Sequence, residues 1–313
     1  ALSVLLGIIN AFEVPARQSL VYEIVELKDL PNALALNSSM VNLSRLIGPG
    51  IAGIVIERFG NDICFGLNSL SFLAVIISLL FVRLPKYVSS PRTKNVLGQL
   101  KDGLVYIRQT PEIAFVLGML ALMSIFVLPF GTLIPVYAKD IFHGTASTFG
   151  VIDSIIGLGA FSGAIFLASL KPGSNLRKVL AVNTLVFGVG LLLFSHATNY
   201  PMALRFAAIS AFGMIAQFTV TNTLIQTTVD PSMRGRVISV YAMVLFGFAP
   251  LGGLLIGLVS QHIGVENTVL AEGFTALLIG FLHFRFLKRN KTSRRIDQTP
   301  SLEKQPDDVA LIA

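Results

Sequence analysis

The sequence predicts an all-α polytopic membrane protein, on three observations. Of its 313 residues 53% are hydrophobic and only 13% charged, whereas a soluble domain carries about 25% charged residues. Apolar runs without charge, such as 63–82 and 113–138, match the roughly 20 residues an α-helix needs to cross about 30 Å of hydrocarbon. The basic residues gather between and after these runs, as cytoplasmic connections of membrane proteins do. The same placement explains the net charge of +7 and removes nucleic acid as a partner, since no basic patch is interleaved with exposed aromatics. The single cysteine, Cys64, excludes an intramolecular disulfide, and four scattered histidines supply no Cys/His zinc pattern.

Taken in order, the candidate spans run over 1–25, 33–56, 62–83, 113–137, 147–170, 177–196, 200–225, 236–261 and 266–287. Turn-like sequence separates them at Phe59-Gly60-Asn61-Asp62, Lys171-Pro172-Gly173-Ser174 and Asp230-Pro231. Four parts follow: helices over 1–83, a linker over 84–112, a six-helix bundle over 113–287, and a disordered tail over 288–313. The linker holds an amphipathic stretch, Val96 to Ile107, expected on the membrane surface. Alternate connections hold 20 of the 24 basic residues, against two, Arg58 and Lys139, in the others. That bias places the linker and the C-terminus in the cytoplasm.

Two segments about 200 residues apart resemble each other, the weak internal symmetry of transporters built from repeated helix groups. One reads Asp29-Leu30-Pro31, then Gly48-Pro49-Gly50 to Gly53, and ends at Gly60. Its counterpart reads Asp230-Pro231, then Ala249-Pro250 to Gly253, and ends at Gly264. Proline to proline is 18 residues in the first and 19 in the second. Three helices precede the second pair. Three more, roughly 85–95 residues, are expected ahead of the first, giving six plus six.

Asn10 to Gln18, Asn32 to Ser38, Asn42, Arg45 to Gly53, Asn68 to Leu73 and Met233 to Ser239 together resemble the major facilitator superfamily. Within it they resemble the proton-driven drug-efflux group that includes the enterobactin exporter and the transmembrane secretion effector proteins. The resemblance implies that the nine spans are helices four to twelve of a monomeric exporter in the bacterial inner membrane. It implies a small organic substrate, no bound cofactor and a proton gradient as driving force. It also implies that Gly48, Pro49 and Gly53 form the antiporter-like motif of helix five. The counterpart of the family's signature loop, Lys171 to Lys178, is basic but lacks the Asp-Arg pair.

Charged groups inside spans are the functional candidates, because each costs about 2.5–3.5 kcal/mol at a helix centre on insertion scales. Glu13 and Arg17 stand four apart on one face, as a coupling or substrate site or as a structural ion pair. A neighbouring arginine and burial act in opposite senses on a carboxylate's proton affinity. Coupling at Glu13 therefore needs a second state in which the pair separates. Ser38, Asn42 and Arg45 form one polar stripe, lining a cavity or bonding a neighbouring helix. Asp153 and Glu272 are the candidates of the second half, and Arg205 is expected to snorkel to the interface. Gln217, Asn222 and Gln226 recur along one span as a candidate polar path. Asp230, Arg234 and Arg236 form a candidate cytoplasmic gating loop, and Gly159/Gly163 and Gly253/Gly257 read as helix-packing pairs. No phosphate loop, His-Glu-x-x-His or Gly-x-Ser-x-Gly occurs, so no primary pump or intramembrane hydrolase is expected. Importer, facilitator and membrane scaffold remain the alternatives to an exporter.

Overall fold

A computed structural model describes residues 9, 20, 24–25, 29–82, 96–171 and 173–297. Among them no strand occurs, and seven helices are long and apolar enough to cross a membrane. Glu13, Arg17 and most of the expected first span lie outside the described residues.

The helices are α1 (Leu30–Leu80), α2 (Val96–Gln109), α3 (Pro111–Phe126), a short α4 (Ile134–Val136), α5 (Ala146–Ala168), α6 (Leu176–Ser195), α7 (Tyr200–Thr228), α8 (Pro231–Ile263) and α9 (Val265–Asp297). A 3₁₀ segment (Leu128–Leu133) and a π segment (Tyr137–Ile141) flank α4, so the second membrane-length stretch, Pro111–Ile141, is broken in its second half. Pro129, Gly131 and Pro135 account for the break, since proline removes a helical donor and clashes with the preceding turn. The last helix continues to Asp297, past Lys288, where the sequence placed the end of the span.

The repeat appears in the backbone. α1 opens on Asp29 at its N-cap with a proline in the first turn and carries Pro49 inside. α8 opens on Asp230 in the same way and carries Pro250. Both units end at a glycine with φ of 84°, Gly60 inside α1 and Gly264 between α8 and α9. That left-handed conformation is open to glycine at little steric cost. The same turn that separates α8 from α9 therefore divides α1 into two helical arms.

From residue 111 onward the helices pack through small residues. α5 meets α7 at Gly159 and Gly163, α6 meets α7 at Gly190 and Gly213, and α6 meets α9 at Gly188 and Gly273. α8 approaches α3 at Gly252, where a side chain would stand 2.8 Å from the Ser124 carbonyl. The pair expected to pack there, Gly253/Gly257, makes no such approach: nothing lies within 4 Å of a side chain added at Gly257. The main core joins Met123, Val127, Phe130 and Tyr137 to Phe187, Leu191 and Phe194 of α6 and to Val269, Ala276 and Ile279 of α9.

Protein covers one face of α2, where lipid was expected. Ile107 is buried with Ile113, Leu117, Val237 and Tyr241, and Leu100 packs against the same cluster. Gly103 lets the α8 backbone come close, with the Arg236 carbonyl oxygen 3.3 Å from where its Cβ would be. Leu104 and Val105 stay exposed. Amphipathicity states that a face needs an apolar neighbour, and here α8 supplies it.

Candidate functional site

α1 meets the six-helix bundle along a seam with α5. The Gly50 N–H donates to Ser154 Oγ at 2.9 Å. Gly150 lies against the Pro49 carbonyl, and side chains at Gly157 or Gly53 would stand 2.7 Å from the Arg45 or Ala146 carbonyl. The two backbones come close because each of these contacts has a glycine on one side. Among the described residues nothing lies within 4 Å of a Cβ added at Gly48, so Gly50 and Gly53 make the close approach to α5. Asn42 is half-buried and the Arg45 side chain exposed, while nothing is described of the Ser38 side chain. At the end of the seam Glu57 of α1 lies beside Thr145 and Ser147 at the start of α5. The Thr148 side chain also accepts from the Thr145 N–H at 3.1 Å, which caps the start of α5.

Asp153 sits beside this seam. At about 100° per residue, Gly150 and Gly157 lie roughly 40–60° from it on one side, and the α7-facing Ile152, Gly159 and Gly163 roughly 80–120° on the other. The exposed stripe Val151, Leu158, Phe161 and Ile165 lies roughly 80–160° away. The half-buried carboxylate thus points into the wedge between α1 and α7, away from lipid, and has no ion-pair partner among the described residues.

The three polar residues of α7 do not share a face. Gln217 is buried and donates to Thr184 Oγ1 of α6 at 2.6 Å, while Thr184 donates to the Leu180 carbonyl. Asn222 and Gln226 lie roughly 140–180° round the helix from Gln217 and hydrogen-bond to each other. Gln217 ties two helices together, and the Asn222–Gln226 pair lies near Tyr241 of α8. Arg205 is exposed.

Asp230, Arg234 and Arg236 meet α2. The Tyr106 hydroxyl donates to the Asp230 carboxylate at 3.5 Å and accepts from the Asp230 N–H at 3.3 Å. Arg236 pairs with Asp102 at 3.5 Å. Arg234 is half-buried, and its Nε has no hydrogen-bond partner. At the start of α6, Arg177 pairs with Glu112 at the start of α3. The connection after α7 is thereby linked to the linker helix, and the one before α6 to the first bundle helix.

Glu272 is a deeply buried acidic group. It is 1% exposed and shares a face of α9 with the fully buried Val269 and Ala276. Among the described residues neither carboxyl oxygen has a hydrogen-bond partner, nor do the Tyr137 hydroxyl or Ser124 Oγ in the same bundle. A bare carboxylate there would cost several kcal/mol, so this conformation suits the acid form or a carboxylate with a cation beside it. Near this core an open crevice of about 390 Å³ runs between the broken stretch and α8, lined by Thr132, Val136, Gly253, Gly257, Ser260 and Gln261. No group of three or more His, Cys, Asp or Glu that could hold a metal occurs among the described residues. Sequence reading missed Glu57, Tyr106, Tyr137 and Ser154; only their neighbours on other helices mark them.

The model of the family described as "Transmembrane secretion effector" matches residues 1–312. The chain is similar to the staphyloferrin A transporter of Staphylococcus aureus, 23% identical over 287 residues that cover 90% of this chain and 70% of that protein. It is 26% identical to the multidrug efflux pump Tap of Mycolicibacterium fortuitum over 80% of this chain and 62% of the pump. Macrolide efflux protein A of Streptococcus pyogenes is 21% identical over 87% of this chain and 68% of its own length. The chain thus spans between 62% and 70% of the length of these relatives. With the family matched from end to end and a helical, membrane-length architecture, the chain belongs to the transmembrane secretion effector family of the major facilitator superfamily.

Proposed function

We propose that this chain is the greater part of a secondary active exporter of small organic molecules that works by alternating access and draws on a proton gradient. In this reading it acts as a monomer in the bacterial inner membrane with a cytoplasmic C-terminus, its nine spans being helices four to twelve of a six-plus-six layout. The observation that carries the reading is the seam between α1 and α5. Two helical units meet there backbone to backbone, with one hydrogen bond from Gly50 to Ser154 between the paired glycines. A contact of small residues with few directional bonds can rock or slide without breaking a polar network. The second support is chemical: two carboxyl groups, Asp153 and Glu272, are turned inward with no cation paired to them among the described residues. The names of the relatives include a siderophore, macrolides and multiple drugs. They suggest an amphipathic organic molecule as substrate.

The test is accumulation in cells that express the whole protein. A carboxylate siderophore, a macrolide and a fluorescent cationic dye are each loaded with and without a protonophore. At least one is expected to accumulate several-fold less than in vector controls, with the difference abolished by the protonophore. Equal accumulation of all three would contradict export of this class, and a difference that survives the protonophore would contradict proton coupling.

A further inference from the structure

One exposed stripe of α9 changes character along its length. Phe274, Leu278, Phe281, Arg285 and Lys288 are all exposed. At about 100° per residue they fall within one sector of the helix roughly 80° wide. Val269, Glu272, Ala276, Ile279 and His283 are buried on the opposite side. The exposed side of a membrane-length helix meets lipid, so acyl chains lie against Phe274, Leu278 and Phe281. Arg285 stands about 30 Å along α9 from Val265, at 1.5 Å per residue, which matches the hydrocarbon thickness of a bilayer. The stripe therefore turns basic at headgroup level. Beyond it the backbone stays helical to Asp297, and the sequence adds Arg289, Lys291, Arg294 and Arg295, with no acidic residue from 273 to 296.

We propose that this basic end of α9 binds the headgroups of anionic phospholipids, with Lys101 and Arg108 of α2 completing the surface. Roughly four to eight basic residues directly after a membrane helix attract anionic lipid, and the stretch from Arg285 to Arg295 supplies six. Measured contacts hold this end of α9 against α3. Phe286 stacks on Phe115 with ring centroids 4.0 Å apart, and His283 meets the same ring edge-on at 5.3 Å. α2 stands at the same end, separated from α3 by Thr110 alone. Lys101, Leu104, Val105 and Arg108 recur at i, i+3, i+4 and i+7, and all four are exposed. Leu100, Gly103 and Ile107 are the residues that meet α8 and its cluster. Two cations flanking two apolar side chains suit a helix face lying among headgroups.

The neighbouring carboxylates are engaged elsewhere. Asp102 pairs with Arg236, Glu112 with Arg177, and Asp230 accepts from the Tyr106 hydroxyl. A lipid fits the surface better than a soluble anion, because the basic and apolar parts of the α9 stripe are continuous. A phospholipid uses both, its chains on Leu278 and Phe281 and its phosphate at Arg285 and Lys288, whereas a soluble anion uses only the second. The proposal rests on the membrane placement of the helices and is independent of what is transported and in which direction.

The test uses the whole protein in phosphatidylcholine vesicles carrying a trace of spin-labelled phosphatidylglycerol or spin-labelled phosphatidylcholine. The fraction of label held at the protein surface is read by electron paramagnetic resonance. At low salt phosphatidylglycerol should be selected several-fold over phosphatidylcholine, and at about 1 M salt, where the screening length is about 3 Å, the selection should disappear. Combining Arg289→Gln, Lys291→Gln, Arg294→Gln and Arg295→Gln should remove more than half of it, with the folded yield at the wild-type level. Lys101→Gln with Arg108→Gln should lower it more than Lys171→Gln with Lys178→Gln, which removes equal charge from the α5–α6 connection and its flank. The proposal is overturned if both labels are held alike by the wild type, as they would be if another part of the chain covered these residues. Selection that survives high salt, or an α9 variant that selects as the wild type does, also overturns it. Equal losses in the two paired variants would overturn the part assigned to α2.

Discussion

A disulfide across the seam is expected to stop transport. With Cys64 replaced by serine, Gly50→Cys and Ser154→Cys place two thiols where the intervening Cβ separation is 3.9 Å, inside the roughly 3.5–4.5 Å that disulfides adopt. Oxidation should cross-link α1 to α5 and lower substrate flux about tenfold or more, because a covalent lock removes a conformer instead of shifting its population. Reduction should restore flux to the level of the single variants. The Ser154→Cys single loses the oxygen that accepts the Gly50 N–H, a bond worth about 1 kcal/mol, and should transport at close to the wild-type rate. A cross-linked protein that transports normally would show that α1 and α5 move as one body.

The second large effect concerns assembly. At Gly213 an added Cβ would stand 2.5 Å from the Asn183 carbonyl and closer still to the Phe187 backbone nitrogen. Both are backbone atoms of α6, so no side chain can swing away to make room. Overpacking a core typically costs about 1–3 kcal/mol, and Gly213→Leu must separate two helices along the contact that organises the bundle. The variant is expected to melt well below the wild type in detergent, or to fail to accumulate. Gly66→Ala is the matched control: among the described residues nothing lies within 4 Å of its Cβ, and alanine in a helix is favoured over glycine by about 1 kcal/mol. A Gly213→Leu protein with wild-type yield and melting behaviour would contradict the packing described for α6 and α7.

The features that could be read in the sequence were those encoded by backbone chemistry. Asp29-Leu30-Pro31 and Asp230-Pro231 start helices because aspartate and proline suit a first turn, and Gly60 and Gly264 end them because only glycine takes that φ easily. The repeat followed from these residues alone. The break after Phe126 had its signals too, in Pro129, Gly131 and Pro135, but the uninterrupted apolar run concealed them. Interhelical partners were harder to read. Val96 to Ile107 was recognisably amphipathic, yet its pattern is the same whether lipid or α8 covers it. Gln217 and Asn222 are five residues apart, a spacing that turns them to different faces, and only the position of Thr184 shows what Gln217 does. Glu272 stood out as a charge in an apolar run. Tyr137 did not, because an aromatic residue among leucines and valines reads as core until its hydroxyl is seen to lack a partner.

The central claim, that two helical units alternate about the α1–α5 seam, is tested most directly by spin-label distances in the whole protein. One pair joins Asn61 to Asn267 at the end near Gly60 and Gly264; the other joins Phe81 to Gly173 at the basic end. Pulsed dipolar spectra are recorded in vesicles with and without a transported substrate, at neutral and at acidic pH. The account predicts two populations for each pair, with conditions that shorten one distance lengthening the other. Single, unchanging distances at both ends, in a preparation that carries out transport, would contradict it.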